Sequence, residues 1–387
     1  MKSTLIVPSY MQDFRCIASE CEETCCAGWY IAIDEETYKK YKKVKAPEMK
    51  KRLEKELVVK KGQAGGSCAA KIKLKNNRCA FLDKDNLCDI YTQLGESYLS
   101  ETCKVYPRNT NQIGDQVELS LALSCPEAAR QILLRKEPIQ FKEEALGKLP
   151  IVGAHLKINS RESKHFEDFI MPMRTTILEV LQNKQLTFEE KWQCLEGIMI
   201  KLNEFKLRHD IKKLQVFLKA MMNKEYLEYQ TTPLSLESKK LLSSEGAACL
   251  LEALKKLRET KKWPSLRYAS CYEKLLEGVG STFDEIAYKQ GEKRFETEFM
   301  KDFSYILENY FVNYVYERLV PVNQKTPLES FREMTLYLAL LKLHLIGILS
   351  VNKQVEVEEI VTCIQSFTRV FDHNELYMQQ IKKHMPR

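Results

Sequence analysis

The 387 residues carry 60 Lys and Arg against 53 Asp and Glu, a net charge of +7, and 44% of them are hydrophobic, which is the balance of a folded chain and not of a disordered one. The basic excess is spread through interleaved runs such as Lys50–Glu56, which mark solvated helix faces, so no nucleic-acid footprint is expected. A chain of this length makes two domains the default.

The segment Met1–Pro8 has no apolar stretch of signal-peptide length, and the expected location is cytoplasmic. Cysteines then crowd in as Cys16-x4-Cys21-x3-Cys25-Cys26, with Trp29 just beyond as a hydrophobic lid. Asp34 is placed to cap an amphipathic helical stretch running to residue 60, and 61–67 read as a Gly-rich loop leading to Cys68. Ala70–Lys75 alternates like a half-buried strand. Cys79–Leu82 and Leu87–Tyr91 flank the turn residues Asp83–Asn86 and predict a small β-hairpin. Pro107 and Gly114 punctuate the next segment. Pro126 then opens a helix toward Leu134, with Ser124 or Cys125 at its cap.

Pro138 to Ser160 reads as a linker, and beyond it helical periodicity dominates. Phe303, Ile306, Leu307, Tyr310, Phe311, Tyr314 and Val315 share one face, and Val355 to Phe371 is a second amphipathic pattern. Leu336 to Leu349 is short for a membrane span and carries Lys342 and His344, so a buried helix is expected and no membrane crossing. Gly278-Val279-Gly280 follows no strand signal and makes a poor cofactor loop. The predicted fold is mainly α with a small β-hairpin: a cysteine-cluster domain over 1–140, followed by an all-helical domain over 141–387.

Nine of the 13 cysteines lie between Cys16 and Cys125; Cys194, Cys249, Cys271 and Cys363 are scattered. An odd count without an export signal argues against a disulfide framework. Close thiol spacings suit zinc or an iron–sulfur cluster, and the candidate ligands are Cys16, Cys21, Cys25, Cys26, Cys79, Cys88, Cys103 and Cys125. Adjacent Cys25 and Cys26 are expected to point apart, one of them serving another site or only packing. Cys68 and the four scattered cysteines are ordinary loop or core residues, as free cysteine commonly is. Neither regular Cys-x2-Cys pairs nor Cys-x3-Cys-x2-Cys occurs, which sets aside zinc ribbons and the usual radical-enzyme signature.

Phe14-Arg15-Cys16, Cys21-x3-Cys25-Cys26-x2-Trp29, Cys79-x-Phe81-Leu82, Leu87-Cys88-x-Ile90, Cys103-x2-Tyr106-Pro107-Arg108 and Leu123-Ser124-Cys125-Pro126-Glu127 together resemble the flagellin lysine N-methylase family. The likeness is dense over residues 9–130 and thin afterwards, around Arg174, Glu308-Asn309-Tyr310 and Ser366 to His373. It implies methyl transfer from S-adenosylmethionine to flagellin lysines by a protein with a cysteine-ligated 4Fe–4S cluster or zinc. It also puts Arg174, Glu308, Asn309, Tyr310, Arg369 and His373 forward as cofactor-binding residues. Each has a plainer reading as a surface or salt-bridge residue, and no side chain is singled out as the catalytic base. Tyr106-Pro107-Arg108 would donate toward the cluster sulfurs. The competing expectation is a non-catalytic module, with structural zinc supporting a helical protein-interaction domain. Flagellin is the expected partner; oligomeric state is left open.

Overall fold

Helix caps and turn residues set the local structure as their chemistry requires. Asp34 accepts from Thr37 N at 2.8 Å and starts the first helix; Cys125 and Pro126 start the helix that ends at Leu133. The computed structural model describes residues 4–27, 31–59, 69–76, 78–145, 153–159 and 163–384. The loop 61–67, Cys68 and Trp29 lie outside them.

In chain order the elements are β1 (Thr4–Pro8), β2 (Ala32–Ile33), α1 (Glu35–Lys42), α2 (Pro47–Glu56), β3 (Leu57–Val59), β4 (Ala70–Ile72), β5 (Leu74–Lys75), β6 (Arg78–Cys79), α3 (Asp89–Leu94), α4 (Glu101–Val105), β7 (Arg108–Ile113), β8 (Gln116–Leu121), α5 (Pro126–Leu133), β9 (Phe141–Ala145) and β10 (Ala154–Leu156). The helical part follows as α6 (Ile170–Leu181), α7 (Phe188–Arg208), α8 (Ile211–Met222), α9 (Leu236–Leu242), α10 (Ser244–Thr260), α11 (Leu266–Val279), α12 (Glu285–Arg294), α13 (Met300–Glu317), α14 (Pro327–Val351), α15 (Val357–Phe371) and α16 (Glu375–His384).

The chain is mainly helical, with a cysteine region ahead of a helical one, as the pattern predicts. Three details differ. The stretch 34–60 is two helices and a strand, because Pro47 begins a new helix and Leu57 leaves it extended to pair with Ile72. The hairpin around 83–86 is reduced to one bridge between Leu82 and Cys88, since Cys88 caps α3 and the chain coils at once. The third difference is a five-stranded sheet in the order β10-β7-β8-β1-β9. Its two edge strands, β9 and β10, come from the expected linker, so the part beyond residue 140 is not all helix.

That sheet decides where the cores sit. β1 lies parallel to β8, with Thr4 opposite Gln116, and β7 and β8 form a hairpin closed by Gly114 at φ +56°. Tyr10, Phe14, Ile113, Leu121 and the apolar face of α5 therefore pack into one large core with the helices. A second, smaller core gathers Ile31, Ile33, Tyr41, Leu53, Ile72, Cys79, Phe81 and Ile90. The cysteine region from 31 to 103 is thus inserted into a body that its two flanks share with the helices.

α14 is the central helix. It is long and apolar enough to cross a membrane by length and composition, but 83% of its apolar window is buried inside the protein. Gly278 is where α11 crosses α14: a β-carbon there would run into the Gly347 carbonyl. Gly280 ends α11 at φ +78°, so this glycine pair serves helix crossing and termination.

One buried ion pair fastens the sheet to the bundle. Arg174 of α6 and Glu118 of β8 are both 2% exposed and joined directly, with the guanidinium also stacked 4.8 Å from the Tyr316 ring. Removing one partner leaves a buried charge unpaired. Arg174→Ala is expected to cost about 3–5 kcal/mol, read from denaturant midpoints, whereas Arg174→Met combined with Glu118→Leu costs clearly less.

Candidate metal centre and active site

The loop over residues 16–27 lies against the smaller core partly by backbone contacts: Cys79 N donates to Cys26 O at 2.7 Å, and Ala27 bridges Arg78. Cys26, Cys88 and Cys103 pack against that core around the buried Cys79. Cys125 packs against the large core at the cap of α5. Three of the sulfurs are set at helix starts, Cys88 before α3, Cys103 in the first turn of α4 and Cys125 before α5, where backbone N–H groups and the helix dipole favour thiolate.

None of the eight is in a disulfide, and their thiols influence one another electrostatically. Burial pushes Cys79 and Cys125 up to about 12 and Cys103 to about 11. After burial, neighbouring thiols contribute to these values: Cys88 and Cys103 for Cys79, Cys21 and Cys25 for Cys125, Cys88 and Cys25 for Cys103. Cys21 feels Cys25 and Cys16 in the same way, after burial and Glu22. Cys25 stands in the middle, held strongly in the thiol form by Cys26 and by burial.

The Cys25 and Cys26 sulfurs are 4.0 Å apart. They do not point away from one another, contrary to expectation for adjacent residues. Two sulfurs on a tetrahedral ion with bonds of ~2.3 Å stand about 3.8 Å apart, so this pair is spaced to share one. Soft thiolate donors of this kind fit zinc or an iron–sulfur cluster. Among the described residues, no three Cys, His, Asp or Glu side chains are already arranged as a complete shell. Of the eight sulfurs, those of Cys25 and Cys26 are in direct contact, and the others are linked to them through the electrostatic influence of one thiol on the next.

α15 holds this loop from the other side. Arg369, 7% exposed, donates from Nη2 to Thr24 O at 2.8 Å and to Ala27 O at 2.6 Å, and its Nε is 3.4 Å from Glu23. Gln365 donates to Glu23 at 2.9 Å and to Ser124 O at 2.7 Å. One turn past Arg369, His373 Nε2 meets Ser124 Oγ at 2.8 Å, and the Tyr106 hydroxyl reaches the same oxygen at 3.1 Å.

His373 also lines a cavity of about 690 Å³ between β7 and the ends of α13, α15 and α16. Its wall is part apolar, with Tyr337, Phe371 and Met378, and part polar, with Asn109, Asn111, Ser124, Glu317, and Arg318 paired with Asp372 at 2.6 Å. Arg318 lies over the rings of Tyr314 and Tyr337 at 4.6 and 5.1 Å. A groove beside α9, with Leu236, Leu241 and Leu336 in its wall, shares Gln324, Glu333 and Lys382 with this cavity.

The six residues expected at a cofactor occupy separate places. Arg369 and His373 come together between the cysteine loop and the cavity. Arg174 is spent on Glu118. Glu308 pairs with the buried Lys191 at 2.9 Å beside a smaller cavity of about 260 Å³, and Asn309 donates to Arg135 O at 2.7 Å and to Leu133 O at 3.4 Å, closing the end of α5. Tyr310 is buried against Phe311. Glu317, Arg318 and Asp372 were not singled out by sequence. A signal existed: an acidic residue on the last turn of a helix, as Glu317 is on α13, opposes the helix dipole and calls for a reason.

Cutting the α15 clamp has a defined outcome. Arg369→Ala removes charge-assisted bonds of about 1.5–3 kcal/mol each. Proteolysis within residues 16–27 should rise and bound metal should pass to a chelator at least tenfold faster, with Arg369→Lys between the variant and the native protein.

The C-terminal part, residues 174–386, matches the family profile of the FliB lysine N-methylase C-terminal domain. Residues 15–126 match a domain family proposed to chelate zinc or iron, named for its cysteine pattern. The chain is 30% identical over 143 residues to the lysine-N-methylases of Salmonella choleraesuis and Salmonella typhimurium, covering 37% of this chain and 36% of each relative. It therefore aligns with little more than a third of those relatives' length. It is 32% identical over 130 residues to the flagellar biosynthetic protein FliU of Salmonella muenchen, covering 34% of this chain and 77% of that one. No solved structure matches. The profile over residues 174–386 spans more than half of the sequence, and the chain belongs to the FliB lysine N-methylase family.

Proposed function

We propose that this protein methylates lysine side chains of flagellin, drawing the methyl group from S-adenosylmethionine, and that its cysteines hold an iron–sulfur cluster of the 4Fe–4S kind or zinc. The observation that carries this reading is α15. It grips the cysteine loop through Gln365 and Arg369, and one turn later it presents Asp372 and His373 to the 690 Å³ cavity. The two halves of the family's pattern thereby serve one place. The cavity falls in the size range of small-molecule sites, and its mixed charges suit an amino-acid-bearing donor. When bound, the donor supplies an electrophilic methyl carbon on a sulfonium. The protein's own residues have to admit a lysine chain, hold it in line and strip its proton. The adjoining groove at α9 gives a polypeptide a surface to lie on while one lysine enters.

Cysteines that form no disulfide among the described residues suit a reducing, cytoplasmic setting, in which flagellin would be met before export. A second reading is favoured by the packing of Cys26, Cys79, Cys88 and Cys103 on the smaller core: the centre supports the fold, and the protein is a zinc-stabilised binding module.

Anaerobic purification with metal and sulfide analysis, followed by transfer of labelled methyl groups to flagellin, separates the two. The enzyme reading expects labelled methyl-lysine, with Cys25→Ser and Cys103→Ser losing metal and at least 100-fold in rate. A colourless zinc protein that binds flagellin and never labels it would establish the module reading.

A further inference from the structure

We infer that Glu317 accepts the proton of the substrate lysine's ammonium group in the 690 Å³ cavity. This rests on the methylase reading above. Glu317 lines the cavity beside Asn109, whose Nδ2 donates to its Oε1, while Asn313 Nδ2 donates to Oε2 at 3.2 Å and Asn111 Nδ2 holds its backbone carbonyl at 2.7 Å. The carboxylate is thus oriented by neutral amides. The other acids of the wall are differently engaged: Asp372 is paired with Arg318 at 2.6 Å, Glu333 with Lys382 at 2.8 Å, and Glu375 sits at the exposed first turn of α16. A carboxylate already paired with a fixed cation has little affinity for a proton; one held by amides keeps it.

Glu317 also sits at the negative end of α13, where charge on it is disfavoured. Arg318 beside it, Asp372 and His373 from α15, and Tyr10 from the N-terminal segment, which donates to Asn313 at 2.6 Å, are the titratable and charged groups around it. Burial outweighs the nearby Arg318 and raises Glu317 to about 7. It is therefore largely ionised just above neutrality and still basic enough to take up a proton.

The step balances. An Nζ–H bond of the ammonium breaks and the proton goes to the Glu317 carboxylate. The freed Nζ lone pair then attacks the methyl carbon of the sulfonium donor; the carbon–sulfur pair leaves with sulfur as a neutral thioether. The new methylammonium keeps the positive charge, and Glu317 returns its proton to solvent through the cavity mouth.

The test is the pH dependence of methyl transfer to flagellin by the full-length, metal-loaded protein between pH 6 and 10. The native rate should rise through about pH 7 and level off. Glu317→Gln should lose that plateau: its rate should be about 100-fold low at pH 7.5 and climb tenfold per pH unit toward the lysine's own pKa of about 10.4. If Glu317→Gln keeps the native profile, the ionisation belongs to another group such as His373 and the inference is overturned while the methylase reading stands. If Glu317→Gln melts below the assay temperature, Glu317→Asp decides, since a lower rate with a displaced or lost plateau supports the assignment and an unchanged midpoint overturns it. A native protein that transfers no methyl group to any lysine overturns the reading and the inference together.

Discussion

The Arg369 guanidinium is the contact on which the rest of the site depends. The cysteine loop has few apolar side chains of its own and meets the smaller core through backbone pairings and the Cys26 side chain. A bidentate cation reaching Thr24 O and Ala27 O, with Glu23 beside it, supplies what that loop lacks: a fixed position relative to the helices. Because the cation comes from α15, the position of the thiols and the shape of the cavity are set by the same helix. The arrangement also bears on charge. Arg369 lowers the proton affinity of Cys25, against the pull of Cys26 and burial, so it is a counter-ion for thiolates as well as a clamp.

The sequence made the cysteines legible because thiols at close spacing have few other uses in such a chain, and caps such as Asp34 and Pro126 work through local rules. The sheet was harder to see. β7 reads Arg-Asn-Thr-Asn-Gln-Ile and β9 reads Phe-Lys-Glu-Glu-Ala, neither of which carries a strand's apolar signature. In β7 the polar side chains are engaged by α13 instead: Asn109 and Asn111 bind Glu317. β8 does alternate, Val117 and Leu121 being fully buried, but its partner β1 lies more than a hundred residues away, and pairing at that range leaves no local trace.

The candidate site was legible on the loop side and obscure on the helical side for a related reason. Resemblance draws attention to residues that are fixed in type, and a residue is fixed by structural duty as readily as by contact with a ligand. Arg174 and Asn309 are of the structural kind, a buried counter-ion and a cap for the end of α5. Glu317, Arg318 and Asp372 follow long apolar helices and look like ordinary terminal charges until the helix ends are seen to meet. The half-buried Arg318–Asp372 pair, its guanidinium over the Tyr314 and Tyr337 rings, is a costly arrangement to desolvate, and it is found at the wall of the cavity that the end of α15 lines.

The insertion of the cysteine region between β1 and β8 has a consequence for how the chain is assembled. β1 leaves the ribosome well before β8, since its hydrogen-bond partner at Gln116 follows Thr4 by 112 residues. Closing so long a loop costs entropy that grows with the number of free residues between the ends. If residues 31–103 have already collapsed around their own core, that free length shrinks to two short flanks, and β1 finds β8 at far lower cost. Collapse of this smaller core during synthesis therefore brings β1 and β8 within reach of each other before the sheet closes.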